Sequence, residues 1–509
     1  MTRGRGLSLE GGNEAGSFDA VVVGSGPNGL AAAVTLTAAG LRVLVIEGAE
    51  TAGGGCRTQE LTLPGFRHDL CSAAHPLALA SPFFRRFDLA GRGVRFGRPE
   101  VEFAHPLDGG RAGAVTRSVA ETASRLGQDE AAYQQLFGPL TEHADAVVGA
   151  VLSSMRRPPA DPAAVARYAL LGLRSANHLA TRFRTPKARG LLAGVAAHAM
   201  MPLSRPPTAG LALLLGTLAH AVGWPVVIGG SGAITDAMTE YVRVGGGRVE
   251  TGWRVRSLAE LPPAHAVLLD VTPRALLALA GDRLPATYAR QLRRFRHGSG
   301  VFKADFALAG PVPWRSDDCR RAGTVHLGGT FEEVAAAEAD VAAGRHPDSP
   351  YVLVVQPGVA DKTRAPAAQQ VLWTYCHVPG GSMQDMTSEI EAQIERCAPG
   401  FRDLVLARAT RTAAEEEAQN PNYVGGDIAS GVMSVTQTFA RPVPRWNPYR
   451  TPLPGTYLCS ASTPPGPGVH GRCGELAALS ALREVFGVRR PPDLSVIRPA
   501  TATSTRSGS

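Results

Sequence analysis

Three observations predict an α/β fold for this 509-residue chain. Residues 18–47 run strand, glycine turn, helix, strand, with an acidic residue closing the second strand. An Ala- and Leu-rich stretch from about Val115 to Ala219 has helical periodicity and separates that unit from a second α/β run. Apolar strands and helices then alternate from Val301 to Cys397, and a final strand, loop and helix follow Gly455. Together these specify a discontinuous Rossmann-like domain, an α+β substrate domain and a helical insertion. The expected boundaries are 18–100, 221–298 and 430–487 for the first domain and 101–220 with 299–429 for the second, with flexible tails at 1–17 and 488–509.

The first strand, Asp19–Val23, is a short apolar run suited to a buried parallel sheet. It leads into the G-x-G-x-x-G turn Gly24, Ser25, Gly26, Pro27, Asn28, Gly29, which opens a helix. Gly24 allows the tight turn, Gly26 admits a pyrophosphate close to the backbone, and Gly29 lets helix and strand pack closely. Amides at the helix N-terminus face the anion. Glu47, 18 residues past Gly29 at the end of the second strand, is placed to accept bonds from ribose hydroxyls. Gly53–Gly55 let the next loop pass close to a ligand, and Arg57 offers a charge to phosphate. An alternating run at Glu60–Leu63 then ends in the turn Pro64-Gly65.

Helices are expected at 131–152, 163–173 and 188–200, followed by the longest apolar stretch, Ala209–Val227. His220 and the break at Gly223–Pro225 make that stretch a buried helix and turn instead of a membrane span. Helix Ala233–Val244 and strands Arg248–Val255 and Ala266–Asp270 resume the α/β pattern. The Gly229–Gly232 loop before them lacks the dinucleotide spacing, so no separate NAD(P) domain is expected. Strands at 301–308, 351–356 and 371–378 with helices at 332–343 and 387–397 build the substrate domain. A strand at 455–460, a Pro/Gly loop at 463–471 and a helix at 474–486 complete the chain before its tail.

Composition excludes several functions. The formal charge of +8 comes from Arg spread along the chain without a basic run, which argues against nucleic acid. The seven cysteines are odd in number and contain no C-x-x-C pair, so neither a dithiol centre nor a cysteine zinc site is expected, and no metal is assigned. Unpaired thiols point to a reducing cytoplasm, and Met1–Ser17 has no apolar core for a secretory signal.

Four segments in order, 21–33 (VVVGSGPNGLAAA), 53–77 (GGGCRTQELTLPGFRHDLCSAAHPL), 223–238 (GWPVVIGGSGAITDAM) and 458–482 (LCSASTPPGPGVHGRCGELAALSAL), resemble the phytoene desaturase-like flavoproteins, which include carotenoid desaturases and retinol saturase. The resemblance spans nearly the whole chain and implies FAD in extended form. Gly24, Gly26, Pro27, Asn28 and Gly29 would meet the pyrophosphate and Glu47 the adenosine ribose, with Gly54, Gly55 and Arg57 on the phosphate and ribityl side. Val255 would contact adenine through its backbone, and Gly468, Val469, His470 and Gly471 would lie along the isoalloxazine. The chain departs from the family where Gly55-Cys56 stands between Gly53-Gly54 and Arg57, and where Ser460-Ala461-Ser462 replaces a Gly-Asp pair.

Hydride transfer to a flavin needs placement and dryness more than acid/base groups. His470 is the candidate catalytic side chain, its alternative being a loop histidine bonded to backbone. His68, Asp69 and His75 are further candidates near the flavin, His75 also for substrate contact, against the favoured reading as a structural polar cluster. Trp373, Tyr375 and His377 alternate on one strand face and are candidates for the substrate pocket, against the reading as core aromatics. The Asn422–Asp427 segment resembles a glycine turn beside the family's substrate channel, with a simple Asx-rich turn as the equal alternative. The expected activity is desaturation of a small hydrophobic, carotenoid-like or secondary-metabolite substrate, with oxygen or a quinone as acceptor. Amine oxidation and a non-catalytic flavin-binding scaffold are the alternatives. Peripheral membrane contact and oligomeric state stay open.

Overall fold

The computed structural model describes residues 18–153 and 158–497; the expectations for residues 1–17 and 498–509 lie outside the described residues. Five strands, Ala20–Val23, Val43–Ile46, Arg248–Glu250, Ala266–Leu269 and Thr456–Leu458, form one parallel sheet. Their spatial order is 456–458, 266–269, 20–23, 43–46, 248–250, so distant stretches of chain build a single layer. Val22 stands between Leu268 and Val45 in register. The two strands at 20–23 and 43–46 are buried throughout, which is why they read as unbroken Val, Leu and Ile runs.

Helix Pro27–Ala38 follows the first strand with Pro27 in its first turn, where a missing N–H costs nothing. It packs against helices Gly232–Val244 and Arg472–Glu484. Its N-cap, Gly26, makes no side-chain cap, which leaves the N-terminus without a capping side chain of its own.

The second sheet has seven strands in the order 405–411, 300–308, 370–378, 352–355, 322–327, 101–106, 112–115. All neighbours are antiparallel except 322–327 beside 101–106. The two-residue strand period sorts its faces. Phe302, Ala304 and Phe306 pack on Ile390 and Ile394 of helix Thr387–Cys397. Val301, Leu353, Val355, Trp373 and Tyr375 face the other way and share a core with cap helices Glu130–Glu142, Pro186–Ala197 and Thr208–Ala221.

The α/β architecture with a multi-stranded second sheet is the fold class predicted, and several elements differ in detail. The strand expected at 248–255 ends at Glu250, and Val226–Val227 pairs with Phe96–Gly97 outside both large sheets. Strands 101–106 and 112–115 precede the cap and belong to the second sheet. The flexible tail expected from 488 is corrected as far as 497. Leu494 is buried, its carbonyl accepts from Arg92 Nη2 at 2.9 Å, and Val496 accepts from the Tyr241 hydroxyl at 2.7 Å. Among the described residues no helix is long and apolar enough to cross a membrane.

Candidate functional site

A single cavity of about 1120 Å³ runs from the glycine turn to the face of the second sheet. Gly24, Gly26, Pro27, Asn28, Glu47, Gly54, Gly55, Arg57, Val255, Gly468 and Val469 all line it, as do His75, Trp373 and Tyr375. The parallel sheet delivers one end, because the turn after strand 20–23 and the acid after strand 43–46 emerge side by side at its carboxyl edge.

Glu47 organises that edge. Its Oε2 accepts from the Ser25 N–H at 2.9 Å and the Ser25 hydroxyl at 2.6 Å, and its Oε1 accepts from the Ala49 N–H at 2.9 Å. A carboxylate has about four acceptor sites, so it can still receive a ribose hydroxyl. The loop after Glu47 closes directly onto the turn: a Cβ on Gly54, at φ +55°, would stand 2.7 Å from Gly26 Cα. Arg57 Nε donates to the Gly54 carbonyl at 2.8 Å, which fixes the guanidinium along this wall.

Asp270, at the end of strand 266–269, is the principal group that sequence reasoning missed. Its Oδ2 accepts from the Gly29 N–H at 2.8 Å, and a Cβ on Gly24, Gly26 or Gly29 would meet its side chain at about 3.0, 2.9 or 3.1 Å. Asn422 holds it from the other side, Nδ2 donating to the Asp270 carbonyl at 2.8 Å and Oδ1 accepting from Thr272 N–H at 3.1 Å. The signal was present: VLVI ends in Glu47 and AVLL ends in Asp270, two acids closing the parallel strands that flank strand 20–23.

Burial pushes the Asp270 carboxyl up to about 7, opposed by the Gly29 bond and assisted by the charge of Glu47. The folded state therefore retains a proton that the unfolded chain releases near 3.8. Stability is expected to fall by a few kcal/mol as pH rises from 3.8 to about 7, since the native state binds more protons across that window. Urea denaturation of wild type and Asp270→Asn over this range checks it. An Asp270→Asn slope equal to wild type would remove Asp270 as the cause.

The remaining candidates sort by geometry. Gly29 lies behind the loop, where an added Cβ would be 2.0 Å from the Gly24 carbonyl oxygen, and Gly471 caps helix 472–484 at φ +66°. His75 is neutral, its pKa lowered to about 4 by burial, and its Nε2 lies 2.7 Å from Ser231 Oγ, which itself donates to the Ser72 carbonyl. His68 and Asp69 are off the cavity. Asp69 pairs with Arg364, while His68 meets Thr62 at 2.8 Å and lies 3.7 Å from Asp305.

Two assignments are corrected. His470 does not border the cavity. Its Nε2 meets the Gly466 carbonyl at 3.1 Å, its Nδ1 accepts from Arg472 N–H at 3.0 Å, and its own carbonyl accepts from Ser81 Oγ at 2.6 Å. The ring staples its own loop, and burial keeps it neutral. His377 shares the strand face of Trp373 and Tyr375 but does not border the cavity, its Nδ1 lying 2.7 Å from Glu338 Oε1. Trp373 and Tyr375 stay on the cavity, and behind Trp373 stands the buried Lys303, 5.3 Å over the ring and paired with Asp305. The turn after Asn420 contributes Asn422 and Tyr423 to the wall. Among the described residues no three His, Cys, Asp or Glu side chains converge as a metal site.

Comparison with known proteins agrees with this geometry. Residues 22–87 match the family model of the NAD(P)-binding Rossmann-like domain. The chain is 27% identical to the pyridine nucleotide-disulfide oxidoreductase domain-containing protein 2 of Rattus norvegicus, over 92% of this chain and 94% of that one. Among solved structures, an oxidoreductase from Methanosarcina mazei superposes with a TM-score of 0.62 at 17% identity, covering 91% of this chain and all of that one. A triple mutant of putrescine oxidase, redesigned in cofactor binding, superposes with a TM-score of 0.59 at 17% identity, covering 93% and 99%. The chain shares the fold of these two oxidoreductases, and a cavity with a dinucleotide loop at one end and an apolar chamber at the other fits an extended FAD.

Proposed function

We propose that this chain is an FAD-dependent dehydrogenase that desaturates a hydrophobic, carotenoid-like or secondary-metabolite substrate. The observation that carries the reading is the unbroken cavity between the glycine turn and the chamber formed by Trp373, Tyr375, Leu353 and Val355 below Leu211 and Leu215. When bound, FAD supplies a hydride acceptor at N5. The protein's part is then placement. Gly24, Gly26 and Glu47 anchor the dinucleotide, Gly468 and Val469 offer backbone to the ring, and the apolar chamber holds a C–H bond in a dry space. Glu47 and Asp270 are the only carboxylates on the cavity wall among the described residues, and both are bonded to the glycine turn. Substrate chemistry by paired carboxylates finds no support in that arrangement.

Oxygen or a quinone is the proposed acceptor, supported by the lack of a second complete dinucleotide fingerprint: Gly466–Gly471 repeats the G-x-G-x-x-G spacing, but among the described residues no strand with an acidic end follows its helix. Leu173 and Phe439 line the cavity and are also exposed, which supports substrate entry at a mouth in peripheral contact with lipid. A second reading, amine oxidation, draws support from the fold shared with putrescine oxidase. Against it, Trp373 and Tyr375 pack edge to face, 5.2 Å apart at 75°, and do not form two parallel walls around a slot.

Anaerobic flavin bleaching of the purified protein by polyenes, amines and NAD(P)H separates the readings. Bleaching by a polyene is expected. Bleaching by an amine alone would favour amine oxidation, fast bleaching by NADPH alone would sink the oxygen- or quinone-linked desaturase, and bleaching by none would favour a scaffold.

A further inference from the structure

The chamber is not uniformly apolar. Two buried side chains on its floor lack any hydrogen-bond partner: Trp373 Nε1, in a residue 4% exposed, and Thr324 Oγ1, in one 1% exposed. Both residues line the cavity. They belong to one transverse row of the second sheet, since Thr324 is in register with Val355 and Val355 with Trp373. Two strand spacings put them about 10 Å apart on one face. An unsatisfied buried donor is costly, so a polar group with no protein partner in a residue that borders a cavity is one that a ligand atom can satisfy.

A third donor follows from a tautomer argument. His198 lines the same chamber, and its Nε2 lies 3.0 Å from His326 Nε2. Burial holds both rings neutral, so one Nε2 donates and the other accepts. His326 Nδ1 is buried without a partner. A bare nitrogen there is cheaper than a stranded N–H, so His326 donates through Nε2, and the proton of His198 resides on Nδ1. The chamber wall therefore carries two N–H donors and the Thr324 hydroxyl, besides the phenol of Tyr375.

Charge narrows the ligand further. The two wall carboxylates are at the dinucleotide end, so an ammonium would find no counter-charge beside Trp373. Lys303 is behind the Trp373 ring and already paired with Asp305, so a carboxylate would find no free cation either. We propose that the substrate is an apolar molecule bearing a neutral oxygen, a ketone or an alcohol, whose oxygen accepts from Trp373 Nε1 and whose far side meets Thr324 and His198. This deepens the dehydrogenase reading and rests on it, replacing a plain hydrocarbon by an oxygenated one.

The test uses three probes of matched shape, 4-phenylbutan-2-one, butylbenzene and 4-phenylbutan-2-amine, titrated calorimetrically into FAD-loaded protein at pH 7. The ketone is expected to bind about tenfold tighter than either partner. Trp373→Phe keeps an aromatic ring and deletes the donor; it should remove most of the preference for the ketone over butylbenzene, whatever the change in affinity the two share. Thr324→Val should weaken ketone binding to a smaller extent. Equal or tighter binding of butylbenzene or the amine, a ketone affinity insensitive to both substitutions, or no binding of any probe would overturn the inference. Flavin bleaching by a polyene under those same outcomes would leave the dehydrogenase reading standing, so the two failures are distinguishable.

Discussion

Gly474→Ala is expected to destabilise the protein by about 3 kcal/mol and to weaken FAD binding with it. Gly474 is in the first turn of helix Arg472–Glu484, where that helix crosses the glycine-turn helix Pro27–Ala38. A Cβ there would stand 1.7 Å from the Asn28 carbonyl oxygen and 2.9 Å from Ala32 N. Both obstacles are backbone, so no rotamer change relieves the clash, and the two helices must separate. The displaced atoms belong to Asn28, in the turn proposed to receive the pyrophosphate, which would couple the packing defect to the cofactor. Urea denaturation gives the stability loss, and flavin fluorescence titration gives the affinity. Gly149→Ala is the control. It is exposed in helix Ala144–Val151 with nothing within 4 Å of the added Cβ and no proline after it, so it should raise stability by about 0.5–1 kcal/mol. Similar losses for both variants would show that the helix crossing is not the cause.

The same crossing shows what a sequence can reveal. The turn at Gly24–Gly29 was legible because its geometry is local: strand, tight turn and helix follow within a dozen residues, and each glycine has a reason set by its neighbours. Its partner Gly474 had no such signal, since the clash it avoids involves a chain segment more than 400 residues away. Asp270 is intermediate. An acid closing an apolar strand is visible, but its contact with Gly29 depends on strand 266–269 pairing beside 20–23.

His470 and His377 misled for a different reason. A motif or strand period places a Cα, whereas the ring's partner is decided by what surrounds it. His470 turned to the Gly466 carbonyl, and His377 found Glu338 from helix Phe331–Ala342. Trp373 and Tyr375, on the same strand face as His377, had no such competitor and stayed on the cavity. The strands VEFAHP and AGAV at 101–106 and 112–115 escaped because Ala, Gly and Pro weaken the β signal, and only pairing with 322–327 and with each other makes them strands.

Arg364→Leu is expected to cost about 3–5 kcal/mol, the loss typical of stranding a buried charge. Arg364 and Asp69 are each 1% exposed and pair with one another. Arg364 Nε also donates to the Arg67 carbonyl at 3.1 Å. On the opposite oxygen, Asp69 Oδ1 accepts from Thr58 Oγ1 at 2.7 Å and from Ser231 N–H at 2.8 Å. One carboxylate thus joins the hairpin 58–60/67–69, the start of helix 232–244 and the segment that carries Arg364. Removing the guanidinium leaves that carboxylate with neutral donors only. Asp69→Asn in the Arg364→Leu background removes the stranded charge while keeping an acceptor for Thr58 and Ser231. The double variant should therefore be more stable than Arg364→Leu alone, although Asp69→Asn by itself destabilises. That reversal of sign separates a buried ion pair from two independent packing losses, which would add. Denaturation midpoints of the four proteins in the cycle decide it, and additive losses would mean that the pair is screened and that neutral bonds alone hold the hairpin to the helix.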